Sequence, residues 1–202
     1  QDVQEIAYDY PVEFFSETIW RIPRSRPDIQ QVKDAAKILK TSKNPLIISG
    51  GGVRYSGAEK ALIKFAEERM IPVAETIAGK GAFVHDHSFY VGAIGIEGTD
   101  AAKELAETAD VVVAVGTRLQ DFTTGSWTTF RYDAKFININ AARFDAKKHF
   151  SNPIVGDALE CLTELNAEME DWVCDTSRIE EARTLYANWN EMIDKGQAPT
   201  NA

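Results

Sequence analysis

A doubly wound α/β fold, built on a parallel sheet of about six strands, is what this sequence predicts, and three observations carry it. Short apolar runs rich in β-branched residues recur at 46–48, 71–76, 110–117 and 135–140, the pattern of strands buried on both faces. Segments with helical apolar spacing lie between them. Glycines stand just past several of the runs, at Gly50 to Gly52, Gly79 to Gly81 and Gly116, where the chain must turn tightly. Strands alternating with helices imply right-handed crossovers into a parallel sheet.

In order along the chain, residues 1–27 read as a connecting segment with a short helix over 12–20. The segment carries Tyr8, Tyr10, Phe14, Phe15 and Trp20. So many aromatics in a linker predict that it lies against something. Asp28 then caps a helix, with Gln31 completing a capping box and Val32, Ala35, Ala36, Ile38 and Leu39 as its apolar stripe. Pro45, which has no N–H, ends that helix ahead of the first strand. After Gly50-Gly-Gly52, Ser56 is placed to cap a second helix over 58–69. The second strand at 71–76 leads into the glycine loop 77–82. A weak strand follows at Tyr90 and Val91, then the loop Gly92 to Gly98, a helix over 99–108 and the strand at 110–117, the most apolar of all. Residues 118–133 make a loop of Thr, Gly and aromatics. Strands at 135–140 and 152–156 complete the sheet, and Asp157 caps a helix running to about Trp172. The predicted domain spans 28–172. The acidic amphipathic helix at 177–193, with Leu185, Trp189 and Ile193 on one face, reads as a linker or tail beyond the compact unit, within a C-terminal segment of 173–202.

Composition narrows the function. With 202 residues the chain holds one α/β domain and its flanks. A net charge of −9 and the lack of a basic run argue against nucleic acid. No apolar stretch is long enough to span a bilayer. Cys161 and Cys174 are too far apart for a redox or zinc pair and read as reduced thiols of a cytoplasmic protein. The first residue is Gln rather than Met, which reads as an excised or processed piece.

The glycine turn at 50–52 is not a strict dinucleotide fingerprint, because Tyr55 stands where the third glycine belongs. Glu75 occupies the place of a ribose-binding acid. His85-Asp-His87 reads as a solvated loop rather than a metal site, and no nucleophile elbow is present. Arg118, past the strongest strand, either clamps a phosphate or pairs with Asp121 or Glu97. Lys80 and the Gly92 to Gly98 loop stand as candidates for substrate contact, with a structural role as the alternative. No nucleophile, tuned acid–base pair and oxyanion site come together, so neither a catalytic nor a metal residue is assigned.

Four stretches, in this order and spacing, carry a resemblance: Gly50-Gly-Gly-Val-Arg-Tyr-Ser-Gly-Ala58, Glu75-Thr-Ile-Ala-Gly-Lys-Gly-Ala82, Gly92-Ala-Ile-Gly-Ile-Glu-Gly-Thr99 and Val115-Gly-Thr-Arg-Leu-Gln-Asp-Phe-Thr-Thr-Gly-Ser-Trp127. Together they resemble the Rossmann-like central domain of thiamine-diphosphate-dependent enzymes of the acetolactate synthase type. The Tyr8-Asp-Tyr-Pro11 entry and the loop from Asp121 to Trp127 most resemble the members that open a cyclic diketone in inositol catabolism. The resemblance implies a parent of three domains, with thiamine diphosphate and Mg2+ held by the first and third domains, which are this chain's partners, in a homo-oligomer. Gly156-Asp157 is followed by Ala158 and therefore reads as a helix cap rather than the family's metal-binding motif. In some relatives the central domain also binds FAD or ADP across the strand ends. The matching positions are Gly51, Gly52, Thr117, Arg118, Asn138 and Asn140. The two asparagines replace aspartates of those relatives, and the expectation is a weak or vestigial nucleotide groove. Two rivals remain: a stand-alone FAD- or NAD-binding module, and a carboligase fragment.

Overall fold

A computed structural model describes residues 2–197. Among these residues the elements are α1 (Asp2–Glu5), α2 (Ile29–Leu39), β1 (Pro45–Ser49), α3 (Gly51–Ser56), α4 (Glu59–Arg69), β2 (Val73–Glu75), β3 (Tyr90–Ala93), α5 (Asp100–Thr108), β4 (Val111–Val115), α6 (Asp121–Thr124), β5 (Lys135–Asn140), α7 (Arg143–Ala146), β6 (Asn152–Val155), α8 (Ala158–Glu168) and α9 (Ser177–Gln197). The six strands form one sheet in the order β3-β2-β1-β4-β5-β6, every pair parallel. The order reverses between β1 and β4, and an open sheet forms its crevice at the strand ends above such a reversal.

The apolar runs sit where two buried faces demand them. Leu46 and Ile48 face one layer with Val112 and Ala114. Ile47, Val113 and Val115 face the other, against the helical residues Leu39, Phe65 and Leu162. The predicted β-branched core is therefore sandwiched, and each strand is buried on alternate sides.

Several local details differ from expectation. The segment 12–20 holds only a 3-10 turn at Val12–Phe15. Helix α2 ends at Leu39, several residues before Pro45. Its stop comes from the turn at 40–44, where the Asp110 carboxylate accepts from the Ser42 hydroxyl and from the N–H groups of Lys43 (2.8 Å) and Asn44 (3.0 Å). Asp28 does cap α2, but the Gln31 side chain accepts from Val155 N–H at 2.9 Å instead of closing the box. It thereby ties α2 to the edge strand β6.

Ser56 is not the cap of α4; it ends α3, and Ala58 opens α4 with no side-chain cap. Its hydroxyl instead lies across the chain, donating to Asp157 at 2.7 Å and accepting from Leu159 N–H at 2.9 Å. Asp157 caps α8 as expected, accepting from Leu159 and Glu160 N–H, and α8 ends at Glu168 rather than near Trp172.

The largest difference is α9. Expected beyond the compact unit, it packs against α5 and β3, with Ile179 and Ala182 fully buried. Tyr186 meets Tyr90 edge-on with ring centroids 5.5 Å apart. The edge strand β3 is thus covered rather than exposed to pairing with another chain. The part of the predicted tail after residue 197 lies outside the described residues.

Candidate functional site

The turns after β1 and β4 meet closely. Gly50 N–H donates to Val115 O at 2.8 Å and Gly52 N–H to Gly116 O at 2.9 Å. A Cβ on Gly52 would lie 2.6 Å from Gly116 Cα, and Gly116 itself has φ 62°. Glycine is required here by contact on one side and by conformation on the other. Over this junction runs a groove of about 570 Å³, lined by Gly51, Gly52, Ile77, Thr117, Arg118 and Asn140 among others. A second cleft of about 470 Å³ adjoins it, between Ile22 to Ser25 and Gly156 to Ala158.

Five of the six expected cofactor positions therefore line the groove, and Asn138 does not. Asn138, two residues before Asn140 on β5, is fully buried, donates from its amide to Asp145 O at 2.9 Å, and leaves its Oδ1 without a partner. Asn140 reaches the groove, but its amide is engaged at both ends, donating to Thr117 O at 3.1 Å and accepting from Ala142 N–H at 2.9 Å. Thr117 Oγ1 accepts from Leu119 N–H at 3.2 Å. The second and third N–H groups of α3 are also in use, since Gly52 bonds Gly116 and Val53 bonds Gly50. A phosphate would find few free donors there. Among the described residues, Arg118 forms no ion pair with Asp121 or Glu97, and it is exposed at the rim.

Glu75 is 2% exposed, and its carboxylate accepts from Phe83 N–H at 2.6 Å and Gly81 N–H at 3.2 Å. It closes the loop 76–83 and does not face the ribose position of the main groove. Burial and then the Glu75 charge raise the Tyr90 phenol well above its usual range. Lys80 and the start of the Gly92 to Gly98 loop line a neighbouring pocket of about 380 Å³ with Glu75, Tyr90 and Tyr186. His87 is a structural residue: Nδ1 accepts from Phe89 N–H at 3.2 Å, and Nε2 lies 3.0 Å from Glu67.

Nothing in the spacing announced the aromatic stack that follows α6. Trp127, in the loop after α6, lies against His149 with ring centroids 3.5 Å apart and against Phe136 at 5.3 Å. Its partners come from β5 and from the β5–β6 connection, so only the folded chain brings them together. Burial and then the Lys148 charge lower the pKa of His149.

Asp157 does not suit a metal-bound diphosphate. Its carboxylate is taken up by Arg24 at 3.0 Å, by Ser56 and by the N–H groups that open α8. Among the described residues no group of three or more His, Cys, Asp or Glu is arranged to hold a metal ion, and no helix is long and apolar enough to cross a membrane. Both cysteines are free and buried. Burial, and after it Asp157 and Glu160, push the Cys161 thiol up to about 12, which leaves little of the nucleophilic thiolate.

Asp157, which caps α8, and Asp110, which holds the turn at 40–44, make acid the weak point. Burial opposes the charge of Asp157, but hydrogen bonds from Ser56, Arg24 and Glu160 N–H outweigh it and lower its pKa. Burial likewise opposes Asp110, outweighed by Ser42, Lys43 and Asn44. A folded pKa below the unfolded value means the stabilisation is complete above about pH 4 and fades as pH falls through the lower folded pKa. Urea midpoints are expected to drop below about pH 4, with a shallower drop in Asp157→Ala. That variant should also lose about 1–2 kcal/mol at neutral pH as a lost helix cap. An unchanged acid slope would refute this role.

The family model described as "Thiamine pyrophosphate enzyme, central domain" matches residues 32–165. The chain is 42% identical over 196 residues to the 3D-(3,5/4)-trihydroxycyclohexane-1,2-dione hydrolase of Clostridium perfringens, covering 96% of this chain and 31% of that protein. The hydrolase of the same name from Geobacillus thermodenitrificans is 40% identical over 196 residues, covering 96% and 30%. The chain thus spans less than a third of the length of these relatives. An X-ray structure of a thiamin diphosphate-dependent enzyme isolated from Mycobacterium smegmatis superposes with a TM-score of 0.64 at 22% identity, covering 77% of this chain and 30% of that one. At that identity the likeness is one of fold.

Proposed function

The chain belongs to the family of thiamine pyrophosphate enzyme central domains, and from that premise we propose that it is the non-catalytic middle of a longer hydrolase that opens the ring of trihydroxycyclohexane-1,2-dione in myo-inositol catabolism. The observation that carries the reading is the 42% identity to such a hydrolase across 96% of the chain. Its work is to join and orient a first and a third domain, in a cytoplasmic homo-oligomer. Thiamine diphosphate, held with Mg2+ by those domains, supplies the electron sink for cleaving the C–C bond. The residues of this chain suit a scaffold, because Asn140, Thr117, Glu75 and Asp157 are hydrogen-bonded within the protein.

The test compares the longer polypeptide with the 202-residue chain, each supplied with thiamine diphosphate and Mg2+. The long form is expected to consume the cyclic diketone and the short form to leave it untouched. Turnover by the short form, or none by the long form, overturns the reading. The crevice at the strand-order reversal keeps a second reading alive, a nucleotide module. Flavin absorbance after purification, or a thermal shift of the short form in excess ADP or FAD, would favour that reading over a vestigial groove.

A further inference from the structure

The aromatics of the N-terminal segment are exposed and clustered on one another. Tyr10 lies 4.7 Å from Phe14, and Phe14 lies 5.4 Å from Phe15, between ring centroids. Tyr8 meets Tyr10 at 5.4 Å. Yet Tyr8 is 69%, Phe15 73% and Trp20 82% exposed. An apolar patch of this kind, gathered on a short stretch, is the mark of a surface that another surface covers.

The far end of the segment is fixed to the domain. Arg24 holds Asp157 and Ser56, and Asp157 N–H donates to Ser25 O at 2.9 Å. The strap therefore leaves the body at a defined point, beside the N-terminus of α8.

Charge and sequence coverage point to the occupant. From residue 1 to residue 20 the chain has five carboxylates, Asp2, Glu5, Asp9, Glu13 and Glu17, and no Lys or Arg. A complementary surface is apolar with a basic rim. The similarity to the hydrolases runs over 196 residues, so it takes in most of this strap, whereas the general central-domain model begins at residue 32. Those relatives are about three times as long, which leaves most of their chain outside the matched part.

We propose that residues 8–20 are a docking strap whose aromatic cluster seats on an apolar, Lys- and Arg-rimmed face of the rest of the longer polypeptide. This rests on the reading of the chain as the middle of a longer enzyme. It adds which surface holds the parts together.

Chymotrypsin digestion tests it, with cleavage after Phe14, Phe15 and Trp20 timed by mass spectrometry. In the longer polypeptide these bonds are expected to be cut at least about tenfold more slowly than in the 202-residue chain, as cleavage follows the population of the open strap. Raised salt, and separately Tyr8→Ser with Glu13→Gln and Glu17→Gln, should return the rate towards that of the short chain, with the urea midpoint of the central domain unchanged. Equal cleavage in both forms overturns the proposal. Protection that arises in the short chain and grows with its concentration also overturns it, and assigns the strap to a second copy. A long form that turns over substrate with an unprotected strap refutes the docking alone. A protected strap without turnover refutes the functional reading alone.

Discussion

Replacing Arg178 with Met is expected to cost about 2–4 kcal/mol, a large effect for one residue of a helix expected to be a linker. Arg178 is 2% exposed. Its guanidinium donates to Leu105 O at 2.8 Å and Thr108 Oγ1 at 3.1 Å, and pairs with Glu181 at 2.7 Å. It thereby caps the C-terminal end of α5, where free carbonyls and the helix dipole favour a cation. Met keeps most of the packing and removes the bonds, leaving Leu105 O buried without this donor. The desolvation of the charge offsets part of the gain, which is why the estimate stays well below the sum of the bonds. The urea midpoint should fall and α9 should become the first segment lost to protease. Arg183→Met on the same helix is the control: it is exposed and donates to Ser88 O at 3.2 Å, so its effect should stay within about 0.5 kcal/mol. Equal stability of Arg178→Met and the parent would mean that α9 is a loose appendage after all.

Gly50→Ala should be worse still, exceeding about 4 kcal/mol or abolishing the soluble fold. Its φ of −109° is open to any residue, so the cost is purely one of space. An added Cβ would lie 2.6 Å from Thr117 Cβ and run into Gly116 O. Neither neighbour is the free end of a flexible side chain, and moving them separates the two turns that meet above β1 and β4. Gly57 provides the contrast, with φ 63° but only Arg24 Nη2 near its added Cβ, at 4.0 Å. Gly57→Ala should cost about 1–2 kcal/mol through backbone strain alone. Soluble yield and urea midpoints of the two variants separate the causes. Finding Gly50→Ala the milder of the two would refute the close approach.

Much of the architecture was legible because its signals are local. The run at 110–117 reads as a strand buried on both faces, and it is one, pairing with β1 on one side and β5 on the other. Asp28, Thr99 and Asp157 cap helices through N–H groups two or three residues away. The groove was legible in part, since glycines after strands mark its floor. Asn138 misled because it shares a face of β5 with Asn140 but lies two residues further from the carboxyl end of the strand, deep enough for its amide to be buried beside Asp145 instead of reaching the crevice. Glu75 misled because its partners are the N–H groups of a loop whose path no periodicity encodes.

By itself the sequence determined the strands, the longer helices, the glycine turns and the family, since each rests on neighbours within a few residues or on motifs in order. Only the tertiary structure decided what Ser56 caps, where α9 lies and which residues Trp127 stacks on. Ser56 meets Asp157 across 101 positions and Arg178 meets Leu105 across 73. Contacts at such separations depend on how the layers close over the sheet. That closure is set by the summed burial of both faces, and no single stretch of the chain carries it.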